Sequence, residues 1–203
     1  ACNTNTFGLA HLFHKDKARF QRVFEYYETI YIMIMFMYFT MIYLFTSPFI
    51  RIYTAGVTDV EYIDPILPLL FVLIRLLQNG KMPIQNVINF SEHFEQTKSH
   101  AILEAAINLV VSILGILRFG IYGCLLGTIA ALLVRSTLAI LYANHRLMNR
   151  SIMKTIRKWG IDLLVFGGMC LFVQPRVMDC SGYPELILSC IPFGILVVLV
   201  YLG

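Results

Sequence analysis

The sequence predicts an all-α membrane protein of about six spanning helices. Three observations carry that expectation. Hydrophobic residues make up 58% of the 203-residue chain and charged residues only 14%. Mean hydropathy is +0.72. Apolar runs of near bilayer length recur from one end to the other. A soluble domain is roughly 45–50% apolar and about 25% charged, so this chain lacks the polar surface to cover a water-soluble core. A crossing helix needs about 20 mostly apolar residues, because each residue rises ~1.5 Å against a hydrocarbon core of ~30 Å.

Six segments meet or approach that length. Segment 29–50 carries no formal charge. Segment 63–90 is longer and is interrupted by Gly80 and Pro83. Segments 100–117 and 121–143 follow. Segment 160–173 is short, and spans only by tilting or by borrowing flanking residues such as Trp159 and Gln174. Segment 186–203 closes the chain. The expected organisation is a cytoplasmic-side helix end and basic linker (1–28), four core transmembrane helices (29–145), a basic cytoplasmic loop (146–159) and two trailing helices (160–203). The chain opens Ala1-Cys2-Asn3 without Met and ends inside an apolar run, so it reads as a piece of a longer protein with its last helix truncated.

Charge sets the orientation. Lys15, Lys17, Arg19 and Arg22 precede the first segment, Lys98 follows the second, and Arg146, Arg150, Lys154, Arg157 and Lys158 follow the fourth. These ten of the sixteen basic residues share one side if the segments alternate, against Arg51, Arg118 and Arg176 on the other. Basic loops stay in the cytoplasm, which places the start of the chain there. The 146–158 stretch reads first as a topology signal and second as a contact for anionic lipid headgroups. A net charge of +4 beside membrane spans needs no nucleic-acid partner.

Charges and amides inside spans are costly, about 2.5–3.5 kcal/mol per charge on the insertion scale, and face a bundle interior or a watery cavity. Arg75, Asn79, Met82, Asn86, Asn89 and His93 fall within about 80° of one another on a helical wheel. Gln78 and Gln85 flank that stripe. The calculation assumes a regular helix, whereas Pro83 predicts a kink, a feature tolerated where a helix lines a cavity. Glu104, Asn108 and Ser112 share a face of the next segment. Glu104 pairs with a cation such as Arg75, Lys81 or Arg135, either structurally or as a proton- or substrate-linked carboxylate. Arg135 lies mid-span, and cavity, interface and pairing roles are all open to it.

Gly123, Gly127 and Ala131 at four-residue spacing predict close helix packing. Tyr26, Tyr27, Tyr53 and Tyr62 suit an interfacial belt, and Asp59, Glu61 and Asp64 a solvated loop. Cys2, Cys124, Cys170, Cys180 and Cys190 form no C-x-x-C pair and have no His at ligand spacing, so they read as small hydrophobes. Walker, G-x-S-x-G, H-E-x-x-H and dinucleotide signatures are absent. His11 and His14 alone do not make a site. No metal or cofactor is implied.

Four stretches taken in order carry a family resemblance: PFIRIYTAGVTD (48–59), HFEQTK (93–98), AILEAAINL (101–109) and FGIYGCLLGT (119–128). Together they resemble the oligosaccharide flippases of the Wzx type, which belong with the MATE drug exporters and the lipid II flippases. The similarity covers about 7–146. Members often carry Gly where Glu92 stands. The resemblance implies two pseudo-symmetric bundles around a central cavity, with this chain as most of the second bundle and the first as its missing partner. It implies a transporter, not an enzyme, in the bacterial cytoplasmic membrane. The substrate would be an undecaprenyl-pyrophosphate-linked oligosaccharide, carried outward by alternating access among membrane lipids. A cationic cavity would then hold the headgroup, with Arg75, Lys81 and Arg135 as its contacts. Gln78, Asn79, Asn86 and Asn89 would meet sugar or water, and Glu104 and Asn108 complete the polar lining. A MATE-like exporter of small cations is the alternative, disfavoured by three span cations against the carboxylates Glu104 and Asp162. A membrane-embedded glycan polymerase or acyltransferase would need a long external loop, and 174–185 is short.

Overall fold

The structure, a computed structural model, describes residues 4–57, 63–91, 94–178 and 182–202. Every element in them is helical. In chain order they are α1 (Thr4–Lys15), α2 (Lys17–Tyr53), α3 (Ile66–Gly80), α4 (Met82–Phe90), α5 (Phe94–Phe119), α6 (Ile121–Tyr142), a π-helical turn (Ala143–Met148), α7 (Met153–Phe172), α8 (Gln174–Met178) and α9 (Tyr183–Leu202). Five stretches are long and apolar enough to cross a membrane: Lys17–Tyr53, Ile66–Phe90, Thr97–Phe119, Ile121–Met148 and Tyr183–Leu202. The chain is a multi-pass α-helical membrane protein. Cys2, Asp59, Glu61, Tyr62, Glu92, His93 and Cys180 lie outside the described residues.

Three expectations change. Segment 160–173 is the latter part of α7, and α7 is not among the five. Its first turns carry Lys154, Arg157 and Lys158, with Asp162 a turn further on. Too few apolar residues follow to offset four charges in hydrocarbon. The expected loop 146–159 is mostly helical, leaving only 149–152 as a link. Likewise the 1–28 linker is α1 plus the start of α2. The Asp16 carboxylate accepts the Arg19 N–H at 3.0 Å and so caps α2.

The chain divides into two compact units, one of Ala1–Ile32 and Leu77–Lys158, the other of Met33–Leu76 and Trp159–Gly203. The first is built on an aromatic and aliphatic core. Leu9 and Phe13 of α1 meet Phe20 and Phe24 of α2, Ile84, Val87 and Ile88 of α4, Ala139 of α6, and Ala143 and Met148 of the π-helical turn. The same unit holds the α5–α6 hairpin, which turns at Gly120 with φ +57°, a conformation costly for residues with a Cβ. A Cβ on Gly123 would run into the Gly115 backbone, and one on Gly115 would lie 2.6 Å from the Gly123 carbonyl oxygen. A Cβ on Gly127 would lie 2.6 Å from the Ser112 nitrogen. Ala131 continues that buried edge. The stripe expected to pack does so, and its counterpart on α5 is Gly115 and Ser112.

The break between α3 and α4 falls at Lys81, as Gly80 and Pro83 require. Pro83 has no N–H to give the Asn79 carbonyl. The Tyr31 hydroxyl donates to that carbonyl instead, at 3.3 Å. The second unit is held by Phe36 against Trp159 and Tyr43 against Phe166, with centroids 5.5 and 5.7 Å apart. Polar ties cross its interior: Thr40 Oγ1 lies 3.0 Å from Tyr201 Oη, and Tyr43 donates to Gln174 Oε1 at 3.0 Å.

Candidate functional site

The close contact of Gly115 with Gly123 fixes the register of the α5–α6 hairpin. About three turns further along both helices, that register sets Glu104 opposite Arg135. Arg135 Nη1 donates to Glu104 Oε2 at 2.5 Å. Lys81, in the α3–α4 break, places Nζ 3.6 Å from Glu104 Oε1. Without the break at Gly80-Lys81, Lys81 would belong to a continuous helix face away from the polar stripe. The three side chains are 13–24% exposed. Two cationic side chains thus share one carboxylate within the spans, one formal positive charge in excess.

Asn108 and Ser112 lie on the Glu104 face of α5, as their spacing predicts, but that face meets α6. Ser112 Oγ lies 2.9 Å from Asn108 Oδ1 and 3.3 Å from the Cys124 carbonyl. Thr128 Oγ1 lies 3.4 Å from the same Asn108 oxygen. Asn108 therefore serves the hairpin seam through its oxygen. The amide stripe fares differently. On α4 the buried face is Pro83, Ile84, Val87 and Ile88, which leaves Asn86 half-buried and Asn89 exposed on the opposite side. Gln85 Nε2 donates to Asn89 Oδ1 at 3.2 Å along that face. On α3, Gln78 is exposed and Asn79 half-buried. Arg75 belongs to the other unit, where it lines an apolar groove between α2 and α3. The three expected headgroup cations therefore divide into a pair on Glu104 and a single residue in the groove.

Sequence reasoning missed a second, more deeply buried cluster. Glu28 of α2 is 1% exposed and Arg150 is 4% exposed. Arg150 Nη2 reaches both Glu28 oxygens, at 3.0 and 3.2 Å. Lys158 Nζ donates to Glu28 at 2.8 Å and the Thr155 hydroxyl at 2.9 Å. Asn144, in the π-helical turn, accepts from Arg150 Nε at 3.0 Å, and the guanidinium carbon stands 5.4 Å from the Phe24 ring centroid. Nearer the surface, Lys154 meets Glu25 at 2.5 Å. Buried charges need counter-charges and hydrogen-bond partners of this kind, and among the described residues only Nη1 of Arg150 is left without one in this cluster. Three of the five basic residues in 146–158 thus pair with carboxylates, Arg150 and Lys158 in the interior and Lys154 nearer the surface, which revises their reading as lipid contacts. Arg146 and Arg157 are not among them. The signal is present in the sequence: two acids three apart in α2, and cations at 150, 154 and 158.

Cys124, Cys170 and Cys190 are half-buried and form no disulfide among the described residues. Among the described residues no three His, Cys, Asp or Glu side chains gather as a metal site.

Fold and site together define a class: a multi-pass α-helical membrane protein with a net-cationic cluster inside its spans. The chain matches no protein-family model, and no curated protein or solved structure matches it.

Proposed function

We propose that the chain is part of a transporter that moves an undecaprenyl-pyrophosphate-linked oligosaccharide across the bacterial cytoplasmic membrane by alternating access. The observation that carries this reading is the sharing of Glu104 by Lys81 and Arg135. Holding three charges in spans is costly, and a structural pair would need only two. The surplus cation suits a pyrophosphate. Lys81 is the looser partner at 3.6 Å, so it is the one that turns to an arriving anion. Gln78, Asn79, Asn86 and Asn89, on faces left uncovered within their helices, suit sugar hydroxyls and water. The ordered resemblance to Wzx-type flippases supports the same substrate class, and the basic excess supports a start on the cytoplasmic side. A cation exporter would need the opposite sign at this cluster.

The test is complementation of a bacterium lacking its O-antigen flippase, using the full-length parent gene. The parent restores surface polysaccharide. Lys81→Ala with Arg135→Ala lowers it by about tenfold or more at equal membrane abundance, as expected for losing charge-assisted contacts worth ~1.5 kcal/mol or more. Undiminished polysaccharide in the double variant would remove the cluster from the transport path.

A further inference from the structure

We infer that the groove between the end of α6 and the start of α7 is a resident site for an anionic phospholipid, its acyl chain between the helices and its phosphate on Arg146 and Arg157. The site stands apart from the transport reading, since none of its residues belongs to the Glu104 cluster. The groove lies within one unit and has a volume of about 490 Å³. Ile140 and Leu141 of α6 line one side, Met153 and Ile156 of α7 the other. Along α6 it runs from Thr137 to His145, and Ser151 of the link lies at the His145 end.

Depth selects a lipid. Ile121 and Arg146 are about 38 Å apart along α6 and its π-helical turn, close to the ~40 Å between a bilayer's headgroup layers. With Ile121 at one interface beside the Gly120 turn, His145 and Arg146 reach headgroup level at the other. Thr137 then sits about 12 Å deeper, within the ~15 Å of one leaflet's hydrocarbon. A chain in this groove therefore runs inward from its head, as lipid chains do. An acidic segment of a soluble partner would reach the mouth and not the inner walls.

Charge selects the head. Arg146 and Arg157 each follow a groove-lining residue, His145 and Ile156, and both are exposed. Neither meets a carboxylate among the described residues, whereas Arg150, Lys154 and Lys158 are held by Glu25 and Glu28. Ser151 Oγ accepts the Met153 N–H at 3.3 Å and keeps its own proton to donate. Two guanidiniums and a hydroxyl suit a phosphate whose head brings no ammonium.

The test places the full-length parent protein in phosphatidylcholine nanodiscs with a trace of phosphatidylglycerol carrying a diazirine on its acyl chain. After illumination, chymotryptic peptides are read by mass spectrometry, so that arginine variants keep the same cleavage map. Labels are expected on 137–141 and 152–156, about fivefold or more above those left by a diazirine phosphatidylcholine. Arg146→Gln and Arg157→Gln should each lower them by about fivefold, while Arg146→Lys with Arg157→Lys should retain most. Ile140→Trp should block labelling by filling the groove. Equal labelling by the two probes, or undiminished labelling with both arginines replaced by glutamine, overturns the proposal, as does loss in the lysine pair. An unlabelled groove, the result if another protein segment covers it, overturns it too. The outcome does not depend on transport, because Lys81, Glu104 and Arg135 stay intact in every variant.

Discussion

Replacing Glu28 by alanine tests the physical account of the buried cluster most directly. The carboxylate takes hydrogen bonds from Arg150, Lys158 and Thr155 and is 1% exposed. Its removal leaves the Arg150 guanidinium, 4% exposed, buried without a counter-charge. Breaking a buried pair in this way costs about 3–5 kcal/mol. Glu25→Ala, one turn away, removes the pair with Lys154, whose side chains are 34% and 54% exposed. Such a pair is worth about 1 kcal/mol or less. Glu28→Gln keeps the shape and one acceptor and should fall between the two. Glu28→Leu with Arg150→Met removes the two most buried charges and should recover part of the loss, because an apolar pair of similar volume carries no desolvation penalty, although Lys158 then loses its carboxylate. The assay is unfolding of the full-length protein in mixed micelles by increasing denaturing detergent, followed by helical circular dichroism. The reasoning fails if Glu28→Ala and Glu25→Ala cost the same, or if the double variant is worse than Glu28→Ala.

Further substitutions probe the hairpin and the helix break. Gly123→Ala puts a methyl into the Gly115 backbone and should cost about 1–3 kcal/mol as overpacking. Gly167→Ala, in α7 with nothing within 4 Å, should be neutral or gain up to ~1 kcal/mol; both are read by the same unfolding assay. Tyr31→Phe removes the donor to the Asn79 carbonyl and should cost about 1 kcal/mol. In a Pro83→Ala background the same change should cost clearly less, since the substituted alanine has a backbone N–H to give that carbonyl. A double-mutant cycle with no coupling would refute that link.

Local rules made some of this molecule legible. The break at Lys81 follows from Gly80 and Pro83 alone, and Gly123, Gly127 and Ala131 predict the close helix seam because small residues at one spacing act within a single helix. The shared face of Glu104, Asn108 and Ser112 is equally local. Its neighbours are not local. The hairpin register decides that Asn108 is tied into the seam while Glu104 collects two cations. The Glu28 cluster is harder still to foresee, since residues 28 and 150 are 122 positions apart. Counting basic residues as a topology signal does not ask which carboxylates they face. Segment 160–173 has the same limit: it is the latter part of α7, whose first turns face Glu25 and Glu28 and which is not among the five helices long and apolar enough to cross a membrane.

The π-helical turn at Ala143–Met148 sets a different kind of constraint. A π turn holds more residues per revolution than an α turn, so this one amounts to an inserted residue. Deleting a single position between Asn144 and Arg150 would break the six-residue spacing by which the Asn144 carbonyl accepts the Arg150 N–H at 2.9 Å. Arg150 would then swing off Glu28 although every side chain in the cluster remained. At this end of α6 the count of residues, more than their identity, aims the charges, and a change of length would do more harm than most changes of sequence.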